Sequence, residues 1–130
     1  DTFGHLGGDV VLGHAGRLIL NFVRLDDIAC RFGGEEFCVL LRSCKAQTAL
    51  QRAALLVQEF NRHVISLPDG RTLTISISIG VSERVLPGPL LKTIQHADMA
   101  LYQAKSQGRN QAQLAATLVE DESLVHAAIA

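Results

Sequence analysis

The chain has 130 residues, which suits one domain with a hydrophobic core. Apolar residues make up 48% of it, which argues against disorder. The 12 Lys and Arg nearly balance the 13 Asp and Glu, so we expect no general attraction to nucleic acid or to an anionic membrane. No apolar segment approaches the length that spans a bilayer, and the first residues lack the charged-then-apolar layout of a secretory signal. We therefore expect a cytoplasmic domain, and any membrane anchor of the full-length protein would lie upstream.

The first half of the chain predicts two helices with a hairpin between them. The first helix has Asp9 at its N-cap position, and Gly33 and Gly34 favour a two-residue turn between two strand-forming segments. In chain order, these elements are a helix over 9–24, strands over 28–32 and 37–41, and a helix over 45–65.

The second half predicts a half-buried strand, a helix and a short strand. Residues 73–81 alternate strictly between apolar and polar, as a strand with one buried face does. A helical pattern over 91–104 follows Pro87 and Pro89 and stops at Gly108, and a short strand is predicted near 111–114. Strands separated by helices indicate an α+β or α/β domain, in which helices pack on one sheet.

The three cysteines give no sign of a metal centre or a disulfide framework. Cys30, Cys38 and Cys44 are odd in number and match no metal-ligand spacing. We expect reduced, buried thiols.

Two adjacent acids stand at the tip of the predicted hairpin. A tight turn uses glycines such as Gly33 and Gly34, but it has no need of Glu35 and Glu36. The two carboxylates are either solvated residues of a turn or a platform for divalent cations beside a phosphate group.

Three stretches together resemble the GGDEF family of diguanylate cyclases in order and spacing. They are "DTFGHLGGDVVL", "RFGGEEF" followed by "SISIGVS", and "HADMALYQAKSQGRN", and the resemblance extends to Asn110. It implies a nucleotidyl-cyclase-like α+β fold with a central, mostly antiparallel sheet. It also implies condensation of two GTP molecules into cyclic di-GMP, with release of pyrophosphate and with Mg²⁺ or Mn²⁺ as cofactor.

The resemblance assigns roles to individual residues of this chain. Glu35 is implied as a catalytic residue and metal ligand, and Glu36 as a second metal ligand. Arg24 and Asp27 form the R-x-x-D spacing of a product-binding inhibitory site, although an ion pair at a helix end explains them equally well. The residues implied to bind GTP are Asp9, His5, Gly33, Gly34, Lys105 and Arg109.

Several of these GTP-binding residues also have a simpler explanation. Asp9 would bind guanine in the family, yet it could equally be a helix cap. Lys105 and Arg109 would bind the β- and γ-phosphates, yet cations at the end of a helix also favour its dipole. His5 would lie near the nucleotide, and a packed or capping histidine is the alternative.

The resemblance also predicts the domain organisation and the partners. Residues 1–116 correspond to a GGDEF domain without its first strand and helix, and 117–130 form a C-terminal tail for which a helix is one option. The missing strand carries a metal-binding aspartate in the family, which puts the activity of this chain on its own in question. Expected partners are GTP, cyclic di-GMP as product and inhibitor, a second copy at least transiently, and an upstream sensory or dimerising domain, but no DNA or RNA.

Two alternative functions remain at this point. One is a catalytically silent domain that binds GTP or cyclic di-GMP as a regulatory module. The other is an interaction domain without any nucleotide, which the joint presence of the acidic pair and the basic residues argues against.

Overall fold

A five-stranded sheet carries helices on both of its faces. The computed structural model describes residues 4–84, 89–115 and 123–129, with the backbone alone at residues 4–6, 123, 124 and 129. The elements of this part are α1 (Gly4–Phe22), β1 (Ile28–Gly33), β2 (Glu36–Leu41), α2 (Ala46–Arg62), β3 (Ile65–Ser66), β4 (Thr72–Leu73), β5 (Ile77–Glu83), α3 (Leu90–Ser106), β6 (Ala112–Leu114) and β7 (Ser123–Ile129).

The strand order of the main sheet is β1-β2-β7-β5-β6, and β3 pairs with β4 in a separate two-stranded sheet. All pairs of the main sheet are antiparallel except β5 with β6. The α+β class with a mostly antiparallel sheet is confirmed. No helix within the described residues is both long enough and apolar enough to cross a bilayer.

The C-terminal segment forms the middle strand of the sheet. β7 runs antiparallel to β2 on one side and to β5 on the other. A helix is therefore the wrong structure for residues 123–129 of the tail, whereas 117–122 and 130 lie outside the described residues. Neither β2 nor β5 is left with the open edge that an absent strand would create.

Two hydrophobic layers cover the two faces of the sheet. On one face, apolar residues of α1 and α2 pack against β2, β5 and β7, with Phe60 and Ile79 fully buried. On the other face, α3 lies across β5 and β7, and its Ala97 packs against Cys38.

Strand β5 is buried on both faces, which the alternating pattern did not predict. Ser78 and Ser82 point away from the apolar face yet are fully buried beneath α3. Hydrogen bonds offset this burial, because Ser82 Oγ donates to the Thr93 carbonyl at 2.7 Å and Ser78 Oγ accepts from Asn110 N at 3.1 Å. The predicted strand over 73–81 is also interrupted at residues 74–76.

Gly80 permits the close approach of α3 to β5. A Cβ at this position would lie 2.9 Å from Leu101 Cα and nearer still to the Ala97 carbonyl oxygen. We therefore expect Gly80→Ala to lower the free energy of unfolding by about 1–3 kcal/mol or more. In helix α1, Gly16 has open space around it, so Gly16→Ala should raise that free energy by about 0.5–1 kcal/mol. Urea unfolding of both variants tests the pair, and a loss in both would contradict the packing argument.

The helix boundaries differ from the predicted ones by one to five residues, and the first turns of α1 and α2 also differ from expectation. α1 begins at Gly4, so Asp9 lies inside the helix as an exposed residue and the N-cap prediction is wrong. In α2, the N-cap residue Lys45 makes no side-chain cap bond. Instead, the buried Glu83 of β5 accepts a hydrogen bond from Ala46 N at 2.6 Å, so a distant strand caps this helix.

All three cysteines are free thiols, as expected. Cys38 and Cys44 are buried, but Cys30 is exposed, because β1 is an edge strand with most of its residues accessible. Burial, with a smaller contribution from Cys30, raises the pKa of the Cys38 thiol to about 11.

Candidate active site

The β1–β2 hairpin places the two adjacent acids at its tip. Gly33 pairs with Glu36, so the two turn residues are Gly34 and Glu35 rather than Gly33 and Gly34. The difference of one residue arises because the register shifts between Arg31 and Gly33. Gly34 has a φ of 51°, which glycine adopts without a steric penalty.

An arginine stabilises this turn. Arg31 donates from Nε and Nη2 to the Gly34 carbonyl at 2.9 and 2.7 Å. The following residue, Glu35, is exposed, whereas Glu36 begins β2 with its side chain 43% exposed. The acids therefore stand on a turn whose backbone is held in one conformation.

A cleft of about 530 Å³ opens beside the turn. The two acids, both turn glycines and one of the two predicted phosphate-binding cations share this cleft. Its lining residues are Gly33, Gly34, Glu35, Glu36, Lys105 and Ala128. One cleft therefore offers carboxylates for a cation and an ammonium group for a phosphate.

Lys105 and Arg109 reach different positions, although they are four residues apart. Lys105 lies in the last turn of α3, whereas Arg109 follows the helix, is exposed and is not among the residues that line the cleft. Gly108, Arg109 and Asn110 all have positive φ angles, of 112°, 63° and 53°. The non-glycine pair is strained there, and the bond from Arg109 N to the Ala104 carbonyl, at 2.9 Å, helps to hold it.

Asp9 and His5 are not joined to this cleft. Asp9 is exposed on α1 and does not line the cleft. The side chain of His5 lies outside the described part of the structure. The guanine-binding role of Asp9 and the nucleotide contact of His5 stay predictions.

The structure brings Arg24 and Asp27 into direct contact. Arg24 donates to the Asp27 carboxylate from Nε at 3.2 Å, from Nη2 at 3.1 Å and from its backbone N at 2.8 Å. Arg42 N adds a bond at 3.1 Å, and Arg52 Nη2 lies 3.7 Å away. The Asp27 side chain is fully buried, so it serves as the centre of an internal network.

A second cleft, of about 500 Å³, borders this network. It is lined by Arg24, Leu25, Asp26, Arg42 and Ser43. The two arginines could face an anion there, but Asp27 is not among the lining residues. Of the predicted product-binding pair, only Arg24 therefore borders an open cleft.

The network makes Asp27 important for stability. Burial alone would raise the pKa of its carboxyl, but hydrogen bonds from the Arg24 side chain and from the backbone of Arg24 and Arg42 outweigh burial and lower the pKa. The stabilisation is thus fully present above the pKa of the unfolded state, about 3.9, and is lost as the pH falls through the lower pKa of the folded state.

We expect Asp27→Asn to lower the free energy of unfolding by about 2–3 kcal/mol at pH 7. The difference from the unmodified protein should begin to shrink as the pH falls below about 4, where the carboxyl of the unfolded chain takes up a proton. It should become small only below the lower pKa of the folded state, where the native carboxyl is protonated as well. Urea unfolding across this pH range measures it, with the exposed Asp26→Asn as control. Equal stability of Asp26→Asn and Asp27→Asn at pH 7 would refute the role of the network.

Sequence reasoning missed two residues that group with Glu36. His126 of β7 is buried, and its Nε2 lies 2.8 Å from Glu36 Oε1. Asp98 of α3 lies 3.3 Å from His126 Nδ1. No local signal could have found them, because Glu36 and His126 are separated by ninety positions and meet only through the pairing of β2 with β7.

The acidic pair suits a hard divalent cation. Carboxylate oxygens are the ligands that Mg²⁺ and Mn²⁺ prefer, and both Glu35 and Glu36 reach the same cleft. Lys105 on that cleft could offset the charge of a phosphate. The residues present therefore fit a cation bound together with a nucleotide.

Comparison with known proteins identifies the family of the chain. The family model "Diguanylate cyclase, GGDEF domain" matches residues 1–111. Diguanylate cyclase A of Treponema denticola is 38% identical over 115 residues, which are 88% of this chain and 31% of that protein. Diguanylate cyclase DgcZ of Escherichia coli is 34% identical over 110 residues, or 85% of this chain and 37% of that protein. Response regulator PleD of Caulobacter vibrioides is 42% identical over 119 residues, or 85% of this chain and 25% of that protein.

Solved structures show the same fold. The GGDEF domain of DgcB from Caulobacter crescentus, in complex with c-di-GMP, superposes with a TM-score of 0.83 at 27% identity, covering 88% of this chain and 68% of that one. The active GGEEF domain of a diguanylate cyclase from Vibrio cholerae superposes with a TM-score of 0.78 at 29% identity, covering 91% and 74%.

Proposed function

Because the chain belongs to the GGDEF family of diguanylate cyclases, we propose that it is the catalytic domain that condenses two GTP molecules into cyclic di-GMP and releases pyrophosphate. The observation that carries the proposal is the single cleft shared by Glu35, Glu36 and Lys105. The chain spans well under half the length of the three curated relatives named above, so the other parts of the full-length protein enter only as proposals.

Each residue of the cleft has a separate role in the proposed phosphoryl transfer. Glu35 accepts the proton of the attacking ribose 3′-hydroxyl. Glu36 is the second carboxylate that would bind the divalent cation. Lys105 binds the terminal phosphates, and Gly33 and Gly34 let the nucleotide approach the backbone. A bound Mg²⁺ or Mn²⁺ would neutralise charge on the triphosphate and polarise the phosphorus.

The product requires two such clefts. Cyclic di-GMP is twofold symmetric, and each domain offers one cleft for one GTP, so two copies must face each other at least transiently. We propose that an upstream sensory or dimerising domain brings the copies together. The reaction takes place in the cytoplasm, where GTP is available.

Incubation of the full-length protein with GTP and Mg²⁺ tests the activity. Cyclic di-GMP and pyrophosphate should form in a ratio of one to two, as chromatography and a coupled phosphate assay would measure. Tight GTP binding by calorimetry without turnover would instead favour a silent regulatory domain. Binding of neither GTP nor cyclic di-GMP would refute both functions.

We also propose that cyclic di-GMP binds at the cleft beside Arg24 and inhibits the enzyme. Arg24 and Arg42 both line that cleft and can pair with the phosphates of the product, while Asp27 holds Arg24 in place. Arg24→Ala should therefore relieve inhibition by added product at least about tenfold, since it removes one charge-assisted contact. Arg71→Ala, which removes an exposed arginine elsewhere, should leave inhibition unchanged. Unaltered inhibition in Arg24→Ala would show that the product binds elsewhere.

A further inference from the structure

The imidazole of His126 is buried between two carboxylates. Its side chain is 3% exposed, and the ring of Phe32 packs edge-on against it at 5.5 Å between centroids. Nε2 lies 2.8 Å from Glu36 Oε1 in hydrogen-bond geometry. Nδ1 is also buried, and within the described residues it has no hydrogen-bond partner, although Asp98 Oδ1 is only 3.3 Å away.

The hydrogen bond to Glu36 determines what Nδ1 can do. An ionised carboxylate only accepts, so Nε2 must donate, and in the neutral ring Nδ1 then carries a lone pair. Asp98 Oδ1 presents a lone pair to the same point. Two acceptors at this distance repel each other unless a proton or a metal cation lies between them, so Nδ1 needs one or the other at this point.

We propose that His126 Nδ1 and Asp98 bind a zinc-class divalent cation, with Glu36 as the carboxylate that orients the imidazole. Nδ1 and Oδ1 are 3.3 Å apart. A cation about 2.1 Å from each of them would have an angle of about 104° between its two bonds, which is close to the tetrahedral angle that zinc adopts. A metal-binding histidine usually donates its other N–H to a carboxylate, which is the role of Glu36 here.

The surroundings of the site agree with a bound cation. Ligand atoms of Glu36, Asp98 and His126 all lie within 4.8 Å of one another. The Asp98 side chain is 66% exposed, so water can supply the remaining ligands. An imidazole nitrogen beside a carboxylate favours zinc and its neighbours over Mg²⁺, which distinguishes this site from the all-oxygen pair of Glu35 and Glu36.

Calorimetric titration of the chain with zinc chloride, in excess Mg²⁺ and without nucleotide, tests the site. One equivalent should bind. Asp98→Asn and His126→Asn should each weaken binding by more than tenfold, and Glu36→Gln, which removes the orienting carboxylate, by about 10- to 100-fold. Asp98 is exposed, so its variant should fold even if that of His126 does not.

Two matched controls address other zinc ligands. His63→Asn removes one member of the His14–His63 pair, whose ring nitrogens are 2.7 Å apart, and Cys30→Ser removes the exposed thiol. Neither should change the affinity. Loss of binding in a control, or unchanged binding in Asp98→Asn, would overturn the proposal.

The ¹⁵N resonances of the imidazole give a second readout. Zinc should shift Nδ1 of His126 while Nε2 keeps its proton. Two protonated nitrogens and no zinc binding would show that a proton takes the place of the metal, which would also overturn the proposal. Because no nucleotide is present, a protein without cyclase activity can still bind zinc, so the two proposals fail separately.

Discussion

Glu35→Gln in the full-length protein is expected to slow cyclic di-GMP formation by about 10²- to 10³-fold or below detection. Glu35 is exposed on a turn that two hydrogen bonds from Arg31 stabilise, and it borders the same cleft as Lys105. Glutamine keeps the size of the side chain but can neither accept the ribose proton nor offset cationic charge. The transition state should therefore lose much more stabilisation than bound GTP does.

The measurement compares turnover with GTP affinity. Initial rates of product formation give the first, and calorimetry with GTP gives the second. Glu59→Gln is the matched control, because Glu59 is an exposed glutamate of α2 outside the cleft and should leave the rate unchanged. A rate in Glu35→Gln equal to that of the unmodified protein would remove Glu35 from the proposed mechanism.

Deletion of residues 123–130 is expected to abolish cooperative folding of the domain. β7 is hydrogen-bonded to β2 on one side and to β5 on the other, so its loss opens two strand edges in the middle of the sheet. It also removes the buried Val125 and Ala127 from the main core. The combined cost is comparable with the whole stability of a small domain, about 5–15 kcal/mol.

Circular dichroism and urea unfolding of the truncated chain measure this effect, and a matched pair of substitutions refines it. Val125 is 1% exposed and Val64 is 59% exposed. Val125→Asp should therefore lower the free energy of unfolding by more than about 4 kcal/mol, whereas Val64→Asp should change it by only about 0.5 kcal/mol. An unchanged urea midpoint after truncation, or equal effects of the two substitutions, would show that β7 does not occupy the centre of the sheet.

The sequence predicted most of the helices and strands because their signals are local. The rhythm of apolar residues in α2 and α3 places each helix within a few residues of its observed limits. The hairpin follows from strand-forming segments around two glycines, although the bulge moved its turn by one residue. Such patterns depend on neighbours along the chain, so no knowledge of the packed domain is needed to find them.

Part of the candidate site could be predicted for the same reason. Glu35 and Glu36 stand out as acids that a turn does not need, and the resemblance to the GGDEF family added Lys105 at the end of a helix. The structure brings these residues to one cleft. It did not place Asp9 or Arg109 on that cleft, and it buried Asp27 in an internal network.

By itself, the sequence determined the family, the main helices and the acidic hairpin, because the signal for each lies in residues that are close together along the chain. Only the tertiary structure decided that the C-terminal segment is the middle strand, that Glu83 caps α2, and that His126 lies between Glu36 and Asp98. The physical reason is that strand pairing derives its stability from partners far away in sequence. A short apolar segment such as 123–129 is compatible with helix or strand until two open strand edges are available to it.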